Sequence, residues 1–182
     1  MDQVWVLLLR GVNVGGRHRL AMADFRILLD SLGFQGVATH IQSGNAVFRA
    51  PADPDLAQRI GAAITAKFGF PAEVFLLRLA DYRSVLQANP FTAEGIEDGA
   101  KVHIFFLARP APETNLAALR TLAAPQERFA LTDTAFYLHA PEGVGRSVLV
   151  EKLARHLKAP MTARNQRTAH AIADLARTLQ EN

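Results

Sequence analysis

The sequence predicts an α+β protein built from two tandem ferredoxin-like α/β plaits, the second incomplete, closed by a C-terminal helix. Three observations predict it. An apolar run, "VWVLLLR", is stopped by glycine. A hairpin signal, "VATHIQ"–"SG"–"NAVFRA", stands one helix later, and the order of elements starts again near residue 100. A short apolar run bounded by turn residues reads as a buried strand, and apolar/polar alternation on both sides of a tight turn reads as a hairpin.

Residues 3–10 form the first predicted strand. Met22, Phe25, Leu29 and Leu32 recur at helical spacing, and Gly33 supplies a left-handed stop. After the hairpin, Leu56, Ile60, Ile64 and Phe68 stripe a second helix. Asp53 is its expected N-cap, Pro54 its first residue and Gly69 its end. "AEVFLLRL" completes βαββαβ, the split order of a ferredoxin-like plait. With a short helix from Asp81, this defines a first domain over residues 1–92. Residues 93–182 form the second, the boundary falling within the loop "NPFTAEGIEDGA". It holds a strand "KVHIFFLA", a helix "ETNLAALRTL", a hairpin "ERFAL"–"TDT"–"AFYLHA", a helix capped by Ser147 and a last helix marked by Ile172, Leu175, Ala176 and Leu179. That order, βαββα plus a helix, lacks a fourth strand.

Composition narrows the function. Apolar residues make up 49% and charged residues 20%, a globular balance, and there is no cysteine, which excludes disulfides, thiolate metal sites and cysteine nucleophiles. The segment before the first strand carries an acid and no basic run, so it does not read as a signal peptide. No stretch is long enough to cross a bilayer, and a cytoplasmic protein without membrane contact is expected. Net charge is +3, yet Lys152–Ala173 holds five Lys or Arg and no acid, which leaves −2 on the remainder. A basic segment of this kind either solvates a helix face or meets an anion.

In a split βαββαβ unit the first two strands run parallel on either side of the third. The loop leaving the first and the turn leaving the second therefore share one edge. Here those segments are "RGVNVGG" and "QSGN". They bring Arg10, Asn13, Gly15, Gly16, Gln42, Ser43 and Asn45 towards one rim. Glycines let backbone N–H groups approach an anion, and Asn and Gln side chains add donors and acceptors. The competing reading is architectural: the glycines supply positive φ and Asn13 closes a turn. The loop matches neither the dinucleotide fingerprint nor the P-loop pattern, and no cofactor is implied.

Late in the chain, "PMTARNQRT" places Arg164 and Asn165 as further ligand candidates; helix capping by Thr162 or Asn165 is the alternative. "PEGVGRS" reads as a turn before the Ser147 cap. The six histidines show no ligand spacing, so no metal is expected.

Taken together, "LLRGVNVGG", Met22, "IQSGNAVF", "NPF" and "TARNQRT" resemble the largely bacterial family known as domain of unknown function 1697. The resemblance covers nearly the whole chain. It implies the tandem plaits read above and no activity, substrate or cofactor. The pattern falls on Arg10, Gly11, Asn13, Gly15, Gly16, Gln42, Ser43, Gly44 and Asn45, then on Pro90 and Phe91, and on Thr162, Arg164, Asn165 and Thr168. The chain departs at His40, where members often carry tyrosine, and at Gln166, where tryptophan is common.

The functional expectation is a small protein binding a phosphate-bearing ligand, a nucleotide or a nucleic acid strand, at the rim. An enzyme of unknown reaction that uses the same polar groups to stabilise an anion is the first alternative. An oligomerisation or adaptor module is the second. Sheet-face RNA binding has little support, because the third strand offers only Phe48 beside Trp5 of the first and the RNP patterns are missing.

Overall fold

A computed structural model describes residues 2–181. Two compact units emerge. One ends at Ser84 and regains the chain from Ala171 onward; the other is Val85–His170.

The first unit is built from β1 (Asp2–Arg10), α1 (Met22–Ser31), β2 (Gln35–His40), β3 (Asn45–Pro51), α2 (Leu56–Phe68) and β4 (Glu73–Arg78). Its sheet is antiparallel with strand order β2-β3-β1-β4. β1 is central, and Val6, Leu7, Leu8 and Leu9 are all buried. A strand covered on both faces has no polar side to alternate with, which is why it reads as an unbroken apolar run. Leu7, Leu9 and Phe48 meet Phe25 and Leu29 of α1 and Ile60 and Ile64 of α2 in one core. Phe34 stacks on Phe48 with ring centroids 4.4 Å apart. The expected hairpin forms, with His40 opposite Asn45 and Ala38 opposite Val47. Gly69 ends α2 at φ 76°. The start of α2 differs from expectation. Its N-cap is Asp55, so the helix begins two residues later than expected, and Asp53 instead accepts the Asp55 N–H and pairs with Arg59.

The remaining elements are α3 (Leu79–Gln87), α4 (Thr92–Glu97), β5 (Val102–Leu107), α5 (Leu116–Leu122), β6 (Arg128–Leu131), β7 (Ala135–His139), α6 (Val148–Leu157), β8 (Met161–Asn165) and α7 (Gln166–Glu181). The second sheet has the order β6-β7-β5-β8 and is also antiparallel. It repeats the first strand for strand. The second half is therefore not incomplete. Its fourth strand is β8, five residues that pair with β5 from His103–Asn165 to Leu107–Met161. β8 escapes a hydrophobicity reading because its buried positions are Thr162 and Arg164, so the polar residues of the alternation point inward. The segment expected as loop after Asn89 also contains α4, whose six residues are too few for a helical stripe. Leu119 of α5 and Leu149, Leu153 and Leu157 of α6 pack with Phe105, Phe136 and Leu138 in the second core. Ser147 caps α6 as expected, accepting the Val150 N–H at 3.1 Å.

The part of α7 beyond Ala171 packs with the first unit. A Cβ on Gly36 would lie 2.3 Å from Leu179 Cδ1, and Arg49 Nη1 donates to the Leu179 carbonyl at 3.3 Å.

Candidate functional site

The rim of the first unit assembles as the strand order requires. The Leu9 N–H donates to the Gly44 carbonyl at 2.8 Å, and the Asn13 amide donates to the Gln42 carbonyl at 2.7 Å. The loop leaving β1 and the turn leaving β2 are thereby tied together. Gly44 sits at φ 73°, where an added Cβ would fall 2.7 Å from Val12 and 2.8 Å from Leu9. Glycine is required there twice over, by backbone conformation and by contact.

Within the loop the chain makes a second, smaller reversal. Asn13 N–H donates to the His18 carbonyl, Arg17 N–H donates to the Val14 carbonyl, and Val14 and Arg17 form a bridge. Gly15 and Gly16 stand at its tip with φ 59° and 74°, the two positive values of a type I′ turn. Their surroundings are open, since a Cβ at either would meet nothing within 4 Å. The result is an exposed finger, residues 13–18, raised above the end of the sheet.

Asn13 is the pin of this finger. Its amide also donates to the Leu20 carbonyl at 2.8 Å, while its oxygen accepts the Leu20 N–H at 2.8 Å. Asn45 is fully buried and donates to the His40 carbonyl and the Ser43 hydroxyl. Arg10 pairs with Glu73 at 3.0 Å on an exposed edge. Asn13, Ser43, Asn45 and Arg10 thus spend polar groups on holding the rim. Gln42, Arg17 and Arg19 are exposed, and no hydrogen bond or ion pair engages their side chains among the described residues. His18, between the two arginines, stacks on Phe70 with centroids 4.8 Å apart and contacts the Gly11 carbonyl through Nδ1. The sequence reading passed over Arg17 and Arg19; only their place beside the glycine pair marks them.

The rim also concentrates backbone strain. Of the non-glycine residues with positive φ, Asn13, His18 and Ile41 lie here, and Lys158 at the end of α6 is the other among those described. A β-branched residue in the left-handed region is a steric outlier. Ile41 holds φ 47° while 52% exposed, and Val14 on the finger is 67% exposed.

The second unit supplies a control for what the topology itself demands. Its corresponding crossing is fixed the same way, with the Leu107 N–H donating to the Thr134 carbonyl at 3.0 Å. Yet the loop from β5 to α5, residues 108–115, contains two prolines and no glycine. The loop from β1 to α1 spans residues 11–21 and adds the finger. The strand order alone does not call for it.

Arg164 and Asn165 lie in the second unit, and each has an internal role. Arg164 is buried and donates from Nη1 to the Thr162 hydroxyl and the Ala163 carbonyl. Asn165 accepts the Thr168 N–H at 2.9 Å at the start of α7. Gln166, also buried, accepts from the Asn89 amide at 2.8 Å and donates to the Thr92 carbonyl, and Gly95 leaves room for it. The late motif therefore meets "NPF" through the Asn89–Gln166 bond.

Displaced pKa values belong to structural positions. The Asp55 N–H and then Arg59 hold Asp53 below the usual carboxylate value, and backbone hydrogen bonding and then Arg128 do so for Glu94. Burial pushes His103 down and Tyr137 up. No group of three or more metal-ligating side chains occurs among the described residues, and no helix among them is long and apolar enough to cross a membrane.

The profile of the family described as "Protein of unknown function (DUF1697)" matches residues 2–137, from the first strand through the finger, the tied turn and most of β7. The chain belongs to the DUF1697 family. No curated protein matches this DUF1697 chain in sequence. Among solved structures it is similar to the conserved bacterial protein SP0830 from Streptococcus pneumoniae. That match has 24% identity and a TM-score of 0.68, and covers 97% of this chain and 99% of the other. At that identity the likeness speaks for the fold.

Proposed function

We propose that this DUF1697 protein is a bacterial cytoplasmic binding protein made of two ferredoxin-like plaits, whose finger at residues 13–18 engages a phosphate-bearing partner. One observation carries the reading. The first unit adds a glycine-tipped, internally pinned excursion to a crossing that the second unit completes without one. Its preorganisation by Asn13 reduces the ordering cost of binding, and the groups it leaves unspent are Arg17, Arg19, Gln42 and the glycine backbone. Arginine forks match phosphate oxygens, and successive backbone N–H groups near a left-handed turn favour anions.

A nucleic acid strand fits better than a free nucleotide. The finger stands out from the surface instead of lining a cavity, and exposed Val14 and Ile41 offer apolar contact beside the cations. A convex basic feature tracks a strand's phosphates, whereas an enclosed nucleotide needs a cleft. Fluorescence anisotropy with labelled single-stranded RNA and DNA tests this, with ATP and inorganic phosphate as competitors. Binding should weaken with salt, and Arg17→Ala with Arg19→Ala should lower the salt slope by about 1.4, roughly 0.7 per lost phosphate contact on single strands. Equal binding by the double variant removes the finger from the account. No binding to any of these probes favours an adaptor role.

A further inference from the structure

At the other end of β1 the first unit holds a cavity of about 500 Å³. The register of the sheet makes it. β1 pairs with β4 only from Trp5 onward, opposite Arg78, so Asp2, Gln3 and Val4 run past the point where β4 turns into α3. On the other side Val4 pairs with Arg49 of β3, and Gln180 of α7 completes the lining. Two kinds of wall result. Arg78 is closed by Asp81, its Nε donating at 2.7 Å and Nη2 at 3.3 Å to the two carboxylate oxygens. Arg49 meets no carboxylate among the described residues, only the Leu179 carbonyl at 3.3 Å through Nη1. Asp2 has no cationic partner among them either.

A cation and an anion that line one space, neither with an ion-pair partner among the described residues, define a complement. The ligand carries a carboxylate for the Arg49 fork and an ammonium for Asp2. The cavity is of a size that encloses molecules larger than a single small amino acid. We propose that this cavity binds a short peptide of two or three residues with free termini. Its carboxylate sits on Arg49 and its ammonium on Asp2. The site lies at the opposite end of β1 from the finger and does not depend on it.

Equilibrium ultrafiltration with a pool of random-sequence tripeptides, the retained fraction quantified by mass spectrometry, tests the proposal. Parallel pools are N-acetylated or C-amidated, and inorganic phosphate is a competitor. The free-termini pool should be retained, and blocking either end should weaken retention roughly tenfold to a hundredfold, the range of hydrogen bonds to charged groups. Arg49→Gln should erase the preference for a free carboxylate and Asp2→Asn the preference for a free ammonium, each with an unfolding midpoint near wild type. Arg17→Ala with Arg19→Ala should leave retention unchanged. Three results would overturn the proposal: no retention of the free pool, equal retention of blocked pools, or displacement by phosphate at the concentration that displaces peptide.

Discussion

Replacing Asn13 by alanine is the sharpest perturbation of the rim. The side chain makes three hydrogen bonds, two with the Leu20 backbone at 2.8 Å and one to the Gln42 carbonyl at 2.7 Å. The two to Leu20 are partly buried and contribute about 1 kcal/mol each; the exposed one contributes about 0.5 kcal/mol. Asn13 also holds φ 55°, and alanine adds about 1 kcal/mol there. The expected local loss is about 2–4 kcal/mol. The reporter is the Leu9 amide, whose bond to the Gly44 carbonyl joins the end of β1 to the turn without involving Asn13. Its hydrogen-exchange protection, followed by NMR, should fall roughly 30- to 700-fold, since about 1.4 kcal/mol is a factor of ten. Asn13→Gly should fall less, because it deletes the bonds but tolerates the φ. Unchanged Leu9 protection in Asn13→Ala would refute the idea that this residue pins the rim.

Gly44→Ala should cost about 2–4 kcal/mol from its left-handed φ and its contacts with Leu9 and Val12, read as a lowered urea midpoint. Asn165→Ala should cost about 0.5–2 kcal/mol through loss of the cap on α7, read the same way. His103 has a pKa pushed below 6.5 by burial, so as pH falls through 6.5 the unfolded chain takes up a proton that the folded chain refuses. Its contribution to stability is complete above 6.5 and is lost as pH drops towards the lowered folded value. His103→Leu should make the decline in unfolding midpoint between pH 7 and 5 shallower without a loss at pH 7, since Nδ1 has no hydrogen bond to forfeit. An equally steep decline would place the acid sensitivity elsewhere.

What the sequence disclosed follows from which forces leave a local trace. The first hairpin was legible because Ser43-Gly44 interrupts two alternating runs, and α1, α2, α6 and α7 because each stripes one face. β8 was not, since Thr162 and Arg164 occupy its buried positions, satisfied by bonds that no periodicity records. The convergence of the β1 loop and β2 turn was derivable from strand order. The use of Asn13 and Asn45 as fasteners was not, because an amide in a loop has the same letters whether it grips a ligand or a neighbouring carbonyl. Arg17 and Arg19 stand out only in the folded finger, where their side chains have no partner among the described residues. The Asp2–Arg49 cavity draws single residues from several elements, none of which stands out in its own segment.

The return of α7 to the first unit has a consequence for how the chain is made. Synthesis delivers the first sheet complete by Arg78, but the segment that lies against Gly36 and Arg49 begins only at Ala171. Val85–His170 must be translated in between, which takes roughly 4–17 s at 5–20 residues per second. For that interval β2 and β3 are without Leu179, whereas the second sheet receives its last strand, β8, before α7 is finished. The unit begun first on the ribosome is thus the one finished last. A stalled or prematurely released chain would present an uncovered β2–β3 surface to chaperones and to other nascent copies.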